Sequence, residues 1–272
     1  MKGPGRVIAA AAALWIAVAC LDITSPVTGI ASITNIILPT PSVVENDSSR
    51  DTIGRLDSLR VVAFAPNGDT VRDAVIRYFV IDSTQQLHVD SVSGIASADT
   101  LSPLAKVFAR VTPANGKGVV QTVLVPLPVV PRPVRASQDA DFTFSYTLPV
   151  QGSTDTLAAG LISPAFGDTV RDGIDRPVPS YVVRYEILES PPAPNNEKTV
   201  VLTGASGRDS SVFVTDASGH TQAHIRVRVA ALLSSGTATG KVVVRAHLQF
   251  RGDSLPITPT DTFVISLSPK LP

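Results

Sequence analysis

Few residues in this chain are of a type and spacing that could do chemistry. Its single cysteine, Cys20, can carry a covalent modification but has no partner for an internal disulfide, and a metal site of several cysteines or of Cys with His is excluded. His220 and His224 are four residues apart, the spacing that faces one metal on a helix. Here they stand at a turn and in a strand, so no metal is expected. Asp168, Asp172 and Asp175 follow Gly167 without the alternating acids of a calcium loop and read as solvated turn acids, with calcium stiffening as the lesser alternative. Ser206, in Gly204-Ala205-Ser206-Gly207-Arg208, lacks the glycine two residues on that a nucleophile elbow needs. No glycine loop of the phosphate-binding kind is present. The expectation is a chain with no catalytic residue and no cofactor. Arg251-Gly252-Asp253 spells the tripeptide that integrins read. It is expected at a turn between two strands, where Gly-Asp is also ordinary turn chemistry.

The residues before Cys20 give it a meaning. Lys2 and Arg6 are basic, and Val7 to Ala19 is an apolar run of 13 residues. That is too short to cross a bilayer core, which takes about 20 helical residues, and it suits the core of a signal peptide. Ile16-Ala17-Val18-Ala19-Cys20 resembles the lipobox of bacterial lipoproteins, with Ala17 where leucine is usual. The resemblance implies a diacylglycerol on Cys20 and cleavage before it, hence residues 1–19 as signal peptide and 20–29 as tether. Ala17-Val18-Ala19 also fits ordinary signal cleavage, which would leave a secreted protein. Leu21 rather than Asp follows the cysteine, so by the same resemblance delivery to the outer membrane is permitted.

The elements that position everything else are read from composition and periodicity. Of 272 residues, 44% are hydrophobic and 17% charged, enough apolar side chain for a packed core. Lys+Arg and Asp+Glu are equal at 23 each, which argues against a nucleic-acid binder. Leu56–Ala65, Ala74–Ile81, Leu104–Val111 and Val119–Val125 predict strands in the first half. Thr156–Ile162, Tyr181–Leu188, His224–Val229, Lys241–Phe250 and Thr262–Leu267 do so in the second. Alternation is cleanest in Lys241–Phe250, where Val242, Val244, Ala246, Leu248 and Phe250 share one face. No helical stripe follows residue 20. The fold class expected is all-β: two tandem immunoglobulin-like antiparallel β-sandwiches after an N-terminal signal peptide.

Two copies are expected because segments recur. Gly68–Asp73 returns as Gly167–Asp172, six identical residues 99 positions on (68 to 167). Arg77-Tyr78 recurs as Arg184-Tyr185, Ser93-Gly94 as Ser218-Gly219, and Lys106–Arg110 loosely as Lys241–Arg245. Pro126, Pro128, Pro131 and Pro133 read as a stiff extended spacer. The boundary falls there, giving one domain over 30–130 and another over 131–272.

At these residues the chain resembles the bacterial immunoglobulin-like domains of surface and adhesin proteins, the invasin/intimin type among them. The nearest stretch is Thr215-Asp216-Ala217-Ser218-Gly219-His220-Thr221-Gln222-Ala223. The resemblance implies a structural or adhesive role at the cell exterior and brings no catalytic residues. With the anchor, it implies a non-enzymatic cell-envelope lipoprotein, a spacer or binding module held to a membrane by its lipid, with a protein or glycan ligand. The alternative is a carbohydrate-binding or enzyme-accessory module. It is weakened because no Trp follows Trp15 and only Tyr146 lies outside a core-like strand position. The surface expected to bind is in the first half. If Tyr78 and Val80 point inward, Phe79 points out, and so does Phe108 between Val107 and Ala109 on a neighbouring strand. Their second-copy counterparts by sequence are Glu186 and Val243.

Overall fold

A β-strand turns successive side chains to opposite faces, so an apolar residue at every second position builds a sheet with one face to bury. The computed structural model describes residues 29–114, 119–147, 160–192, 198–228 and 239–270; Cys20 and the apolar run before it lie outside them. The fold is all-β. Among the described residues there is no helix, and so none long and apolar enough to cross a membrane.

The first half contains β1 (Ser32–Ile33), β2 (Val43–Val44), β3 (Asp47–Ser48), β4 (Ala63–Phe64), β5 (Val75–Ile81), β6 (Leu87–Val89), β7 (Ala96–Ala98), β8 (Lys106–Thr112), β9 (Gln121–Pro126) and β10 (Val129–Val130). The second contains β11 (Arg135–Gln138), β12 (Phe142–Thr147), β13 (Leu161–Ile162), β14 (Asp168–Arg171), β15 (Val182–Glu189), β16 (Val200–Thr203), β17 (Val212–Val214), β18 (His224–Val227), β19 (Gly240–His247), β20 (Gln249–Phe250), β21 (Asp253–Ser254), β22 (Ile257–Thr258) and β23 (Thr262–Lys270). Most pairings are antiparallel, as expected, but β2–β10, β11–β22 and β12–β23 are parallel.

The buried side chains form two clusters. In the first, Tyr78, Val107, Ala109 and Val111 of the β5–β8–β9 sheet gather with Leu87, Ala96 and Ala98 of the β3–β7–β6 sheet and with Leu59. In the second, Tyr185, Val242, Val244, Phe263 and Ile265 of the β12–β23–β19–β15–β17 sheet gather with Leu202, Ile225 and Val227 of the β13–β18–β16 sheet. Phe166 closes that core, 5.0 Å from Phe263 and 5.9 Å from Tyr185 between ring centroids.

The proline segment is not a free spacer. Leu127 and Val129 belong to the first cluster and Val130 to the second, so adjacent residues feed different cores. The paired strand repeats the arrangement: Val43 lies in the first cluster and Val44 packs against the second. Val43 N–H donates to Pro128 O and Glu45 N–H to Val130 O, both at 3.0 Å, while Leu127 and Val129 N–H donate to Ala105 O and Ser102 O. A proline cannot donate, but its carbonyl accepts freely. The ribbon therefore ties the halves. Ser42 Oγ donates to Ser180 O at 2.7 Å across the same junction.

One hairpin recurs in the two halves, out of step with the sequence repeat. Ala65 N–H bonds Asp69 O, Gly68 N–H bonds Ala65 O and Val71 N–H bonds Ala63 O. Asp172, Asp175 and Val178 N–H make the same three bonds to Arg176, Asp172 and Val170 O, at a spacing of 107 residues (65 to 172). Gly68 and Asp175 hold matching positive φ values of 88° and 68°. Arg77-Tyr78 and Arg184-Tyr185 keep that spacing. The six-residue identity does not: Gly68–Asp73 starts in the turn and runs down the second limb, whereas Gly167–Asp172 is the first limb.

Burial of the ribbon leads to a stability prediction. Leu127 is fully buried, so Leu127→Ala should cost about 2–5 kcal/mol in urea unfolding. Native-state proteolysis should leave residues 126–136 uncut.

Candidate functional site

β5, β8 and β9 are amphipathic in the strict period of two, and their outward positions form rows across the sheet. The register sets Arg77 opposite Arg110 and Thr122, Phe79 opposite Phe108 and Leu124, and Ile81 opposite Lys106 and Pro126. Tyr78, Val107 and Ala109 point to the core as expected, which turns Phe79 and Phe108 outward. Their rings stack at 4.8 Å between centroids with 16° between planes. Phe79 is 39% exposed, Leu124 49% and Ile81 53%. The three strands contain no carboxylate. Among the described residues, Arg77, Lys106 and Arg110 enter no ion pair. Like charges directly opposite on two strands destabilise the pair, so Arg77 against Arg110 is a local cost.

The corresponding face of the second half carries carboxylate partners for three of its cations. His247 meets Glu186 and Lys241 meets Glu189, both at 3.0 Å, and Arg245 meets Asp261 at 3.3 Å. The counterpart of Phe108 is not Val243. Glu186 stands opposite Arg245, and a bulge between Ile187 and Glu189 brings Val243 opposite Glu189.

Beneath the second sheet the expectation of solvated turn acids fails. Asp168 is fully buried and Asp172 nearly so; only Asp175 is exposed, paired with Arg135 at 2.7 Å. Asp168 alternates with Val170 on the inward face of β14, a signal legible in the strand period. Tyr185 Oη donates to Asp168 Oδ2 at 2.7 Å and lies 2.6 Å from Thr221 Oγ1, while Oδ1 is buried without a hydrogen-bond partner. Gly167 makes this approach possible, since a Cβ there would stand 2.0 Å from Thr221 O. Burial pushes the Asp168 carboxyl up to about 6, against the lowering bond from Tyr185; the charge of Asp139 raises it further and His220 opposes that. At Asp172 burial also works upward, but bonds from the Arg176 side chain and backbone and from Ile174 hold the group below its usual value.

The two histidines are not brought together as a metal site. His220 Nε2 is 3.0 Å from Asp139 Oδ2, and His224 Nδ1 is 2.8 Å from Ser163 O. No cluster of three metal-ligating side chains occurs among the described residues. The Arg-Gly-Asp segment does form a two-residue hairpin turn between β20 and β21, with positive φ at Arg251 and Gly252. Arg251 is not free in it: its guanidinium donates to Asn46 O and lies 5.4 Å from the Phe250 ring, which Arg132 covers at 4.6 Å. All four tyrosines are buried, Tyr146 included, so none offers an exposed platform to a sugar. Cys20 lies outside the described residues.

No protein-family model and no curated protein sequence matches the chain. Among solved structures it is similar to the Yersinia pseudotuberculosis adhesin InvE at 14% identity and a TM-score of 0.35, over 86% of this chain and 58% of that one. It is similar to mouse cadherin-23 EC22-24 at 13% and 0.25, over 88% and 65%. A protein of unknown function from Porphyromonas gingivalis matches at 12% and 0.28, over 87% of this chain and 98% of that one. The chain thus spans less than two thirds of the adhesin and of the cadherin segment. Overlap this loose carries neither residue roles nor an activity across.

Two stability effects are expected. Asp168 has a folded pKa of about 6, above the unfolded value of about 3.9, so the folded state binds its proton more tightly. The stabilisation is complete below about pH 4 and lost as pH rises through 6, a change of about 3 kcal/mol. Asp168→Asn should remove this component, so that wild type minus variant, measured by urea unfolding from pH 4 to 7, falls with rising pH. Arg77→Glu sets opposite charges across β5 and β8 and should raise the melting temperature, with a gain that salt diminishes.

Proposed function

We propose that this chain is a non-enzymatic module of the bacterial cell envelope, anchored by lipid on Cys20 and presenting the outer face of the β5–β8–β9 sheet to a partner. The observation that carries the reading is the Phe79–Phe108–Leu124 row flanked by unpaired cations. A sheet face that meets only water is normally dressed in charges of both signs, as the second half is. Here apolar rings and three like charges share one face, an arrangement that gains its stability when something covers it. The Val7–Ala19 run and the position of Cys20 support export and anchoring, and Leu21 in place of Asp permits delivery to the outer membrane. Among the described residues Asp168 is the carboxylate with a strongly raised pKa, and it is buried in the second core rather than on the Phe79–Phe108 face.

Two measurements test this. Cys20→Ser should move the protein from the membrane to the soluble fraction and remove the lipid mass from its N-terminal peptide. A wild type already soluble and unlipidated sinks the anchor. A photo-crosslinking residue at Leu124 should give one defined adduct in cells, absent when Phe79→Ser and Phe108→Ser are combined. An adduct indifferent to those changes, or none, sinks the binding face.

A further inference from the structure

The face of β5–β8–β9 has a spacing as well as a composition. Along β8 the outward residues are Thr112, Arg110, Phe108 and Lys106. Cation, apolar ring and cation thus follow one another at every second residue, about 7 Å apart. Arg77 doubles the first cation, Phe79 and Leu124 widen the apolar row, and Ile81 and Pro126 flank Lys106. A chain lying extended over this face, aligned as packed sheets are, presents its own alternate side chains at the same repeat. We propose that the partner is an acidic polypeptide segment bound extended over this face. Its carboxylates at positions i and i+4 meet Arg77 with Arg110 at one end and Lys106 at the other. Its apolar side chain at i+2 covers Phe108 between them. The inference rests on reading this face as the binding surface and narrows the chemistry of what it binds.

Three features favour this occupant. Two guanidinium groups on directly opposed residues form a fork that one carboxylate can satisfy, and satisfying it removes the repulsion between them. A second copy of this chain is disfavoured, because two such faces together would enclose six cations and no carboxylate. An anionic bilayer matches the charge but not the shape. Phe79 and Phe108 lie ring against ring, and Phe108 is half-buried. They make a floor between the cations rather than a wedge that reaches past them into acyl chains.

The probe is a phage-displayed library of random short peptides, selected on the full chain carrying Cys20→Ser. It is selected in parallel on two further forms, one with Arg77→Glu and Arg110→Glu and one with Phe79→Ser and Phe108→Ser, each checked for an intact melting transition. The wild-type face should enrich acid-x-apolar-x-acid sequences. A synthetic peptide of that sequence should lose about tenfold or more in affinity on either double variant, and weaken as salt rises. The charge-reversed form should enrich Lys and Arg instead. The proposal is overturned if no alternating acidic pattern is enriched, if either double variant binds the peptide unchanged, or if the wild type sediments with phosphatidylglycerol vesicles but not phosphatidylcholine ones while selecting no peptide. A failed selection beside an intact Leu124 cross-link removes the partner's chemistry and leaves the binding face. Failure of both removes the face as well.

Discussion

Val129 and Val130 are neighbours on a strand, so their side chains leave the backbone on opposite sides. The architecture depends on that constraint. One valine completes the first core and the other begins the second, and Val43 and Val44 do the same on the parallel strand beside them. No flexible hinge separates the clusters at this point. Turning one half against the other would drag a valine out of a core and break the bonds that Pro128 and Val130 carbonyls accept. Ser42 on Ser180, Glu45 on the Arg132 amide and Arg251 on Asn46 add polar ties around the same ribbon. Each is weak alone in water, but the ribbon already holds their partners in place.

What the sequence made legible was whatever depends on local period. Strands with a long amphipathic run were legible: β5 lies within its expected stretch, β8, β15 and β19 overrun theirs by one residue, and β23 runs three residues past Leu267. The outward turn of Phe79 and Phe108 followed from the same rule. Pairings between residues far apart in sequence were not legible. The parallel partners β2–β10, β11–β22 and β12–β23 depend on contacts that no local pattern announces. The proline segment misled for a physical reason. Alternating prolines predict a stiff extended spacer, and the segment is extended, but its carbonyls and the intervening Leu and Val amides pair with strands on both sides.

Two further misreadings have one origin. The identity between Gly68–Asp73 and Gly167–Asp172 was long enough to set a register, yet hydrogen bonding places the segments on opposite limbs of the same hairpin. Glycine and aspartate suit a turn, and they also suit an extended strand that must pass close to another backbone, as Gly167 passes Thr221. Composition alone does not separate those uses. Asp168 was counted with the turn acids for the same reason. Its alternation with Val170 was the signal that it faces inward, to Tyr185 and Thr221.

The two sheets show how one scaffold can divide its labour. On β19 the outward cations Lys241, Arg245 and His247 each meet a carboxylate, so most of the charge on that face is paired as it stands. On β5 and β8 the equivalent face sets Arg against Arg and leaves two aromatic rings to solvent. Nothing in the core requires this: Tyr78, Val107 and Ala109 fill the inward positions whatever stands outside. The cost is therefore local, and an anionic, partly apolar surface laid over the sheet would offset it. The ribbon at Val129 and Val130 adds direction to that surface. It makes the orientation of the face relative to the second half a property of the fold rather than of a tether, so anything that docked on the face would be held at a set angle to the second half.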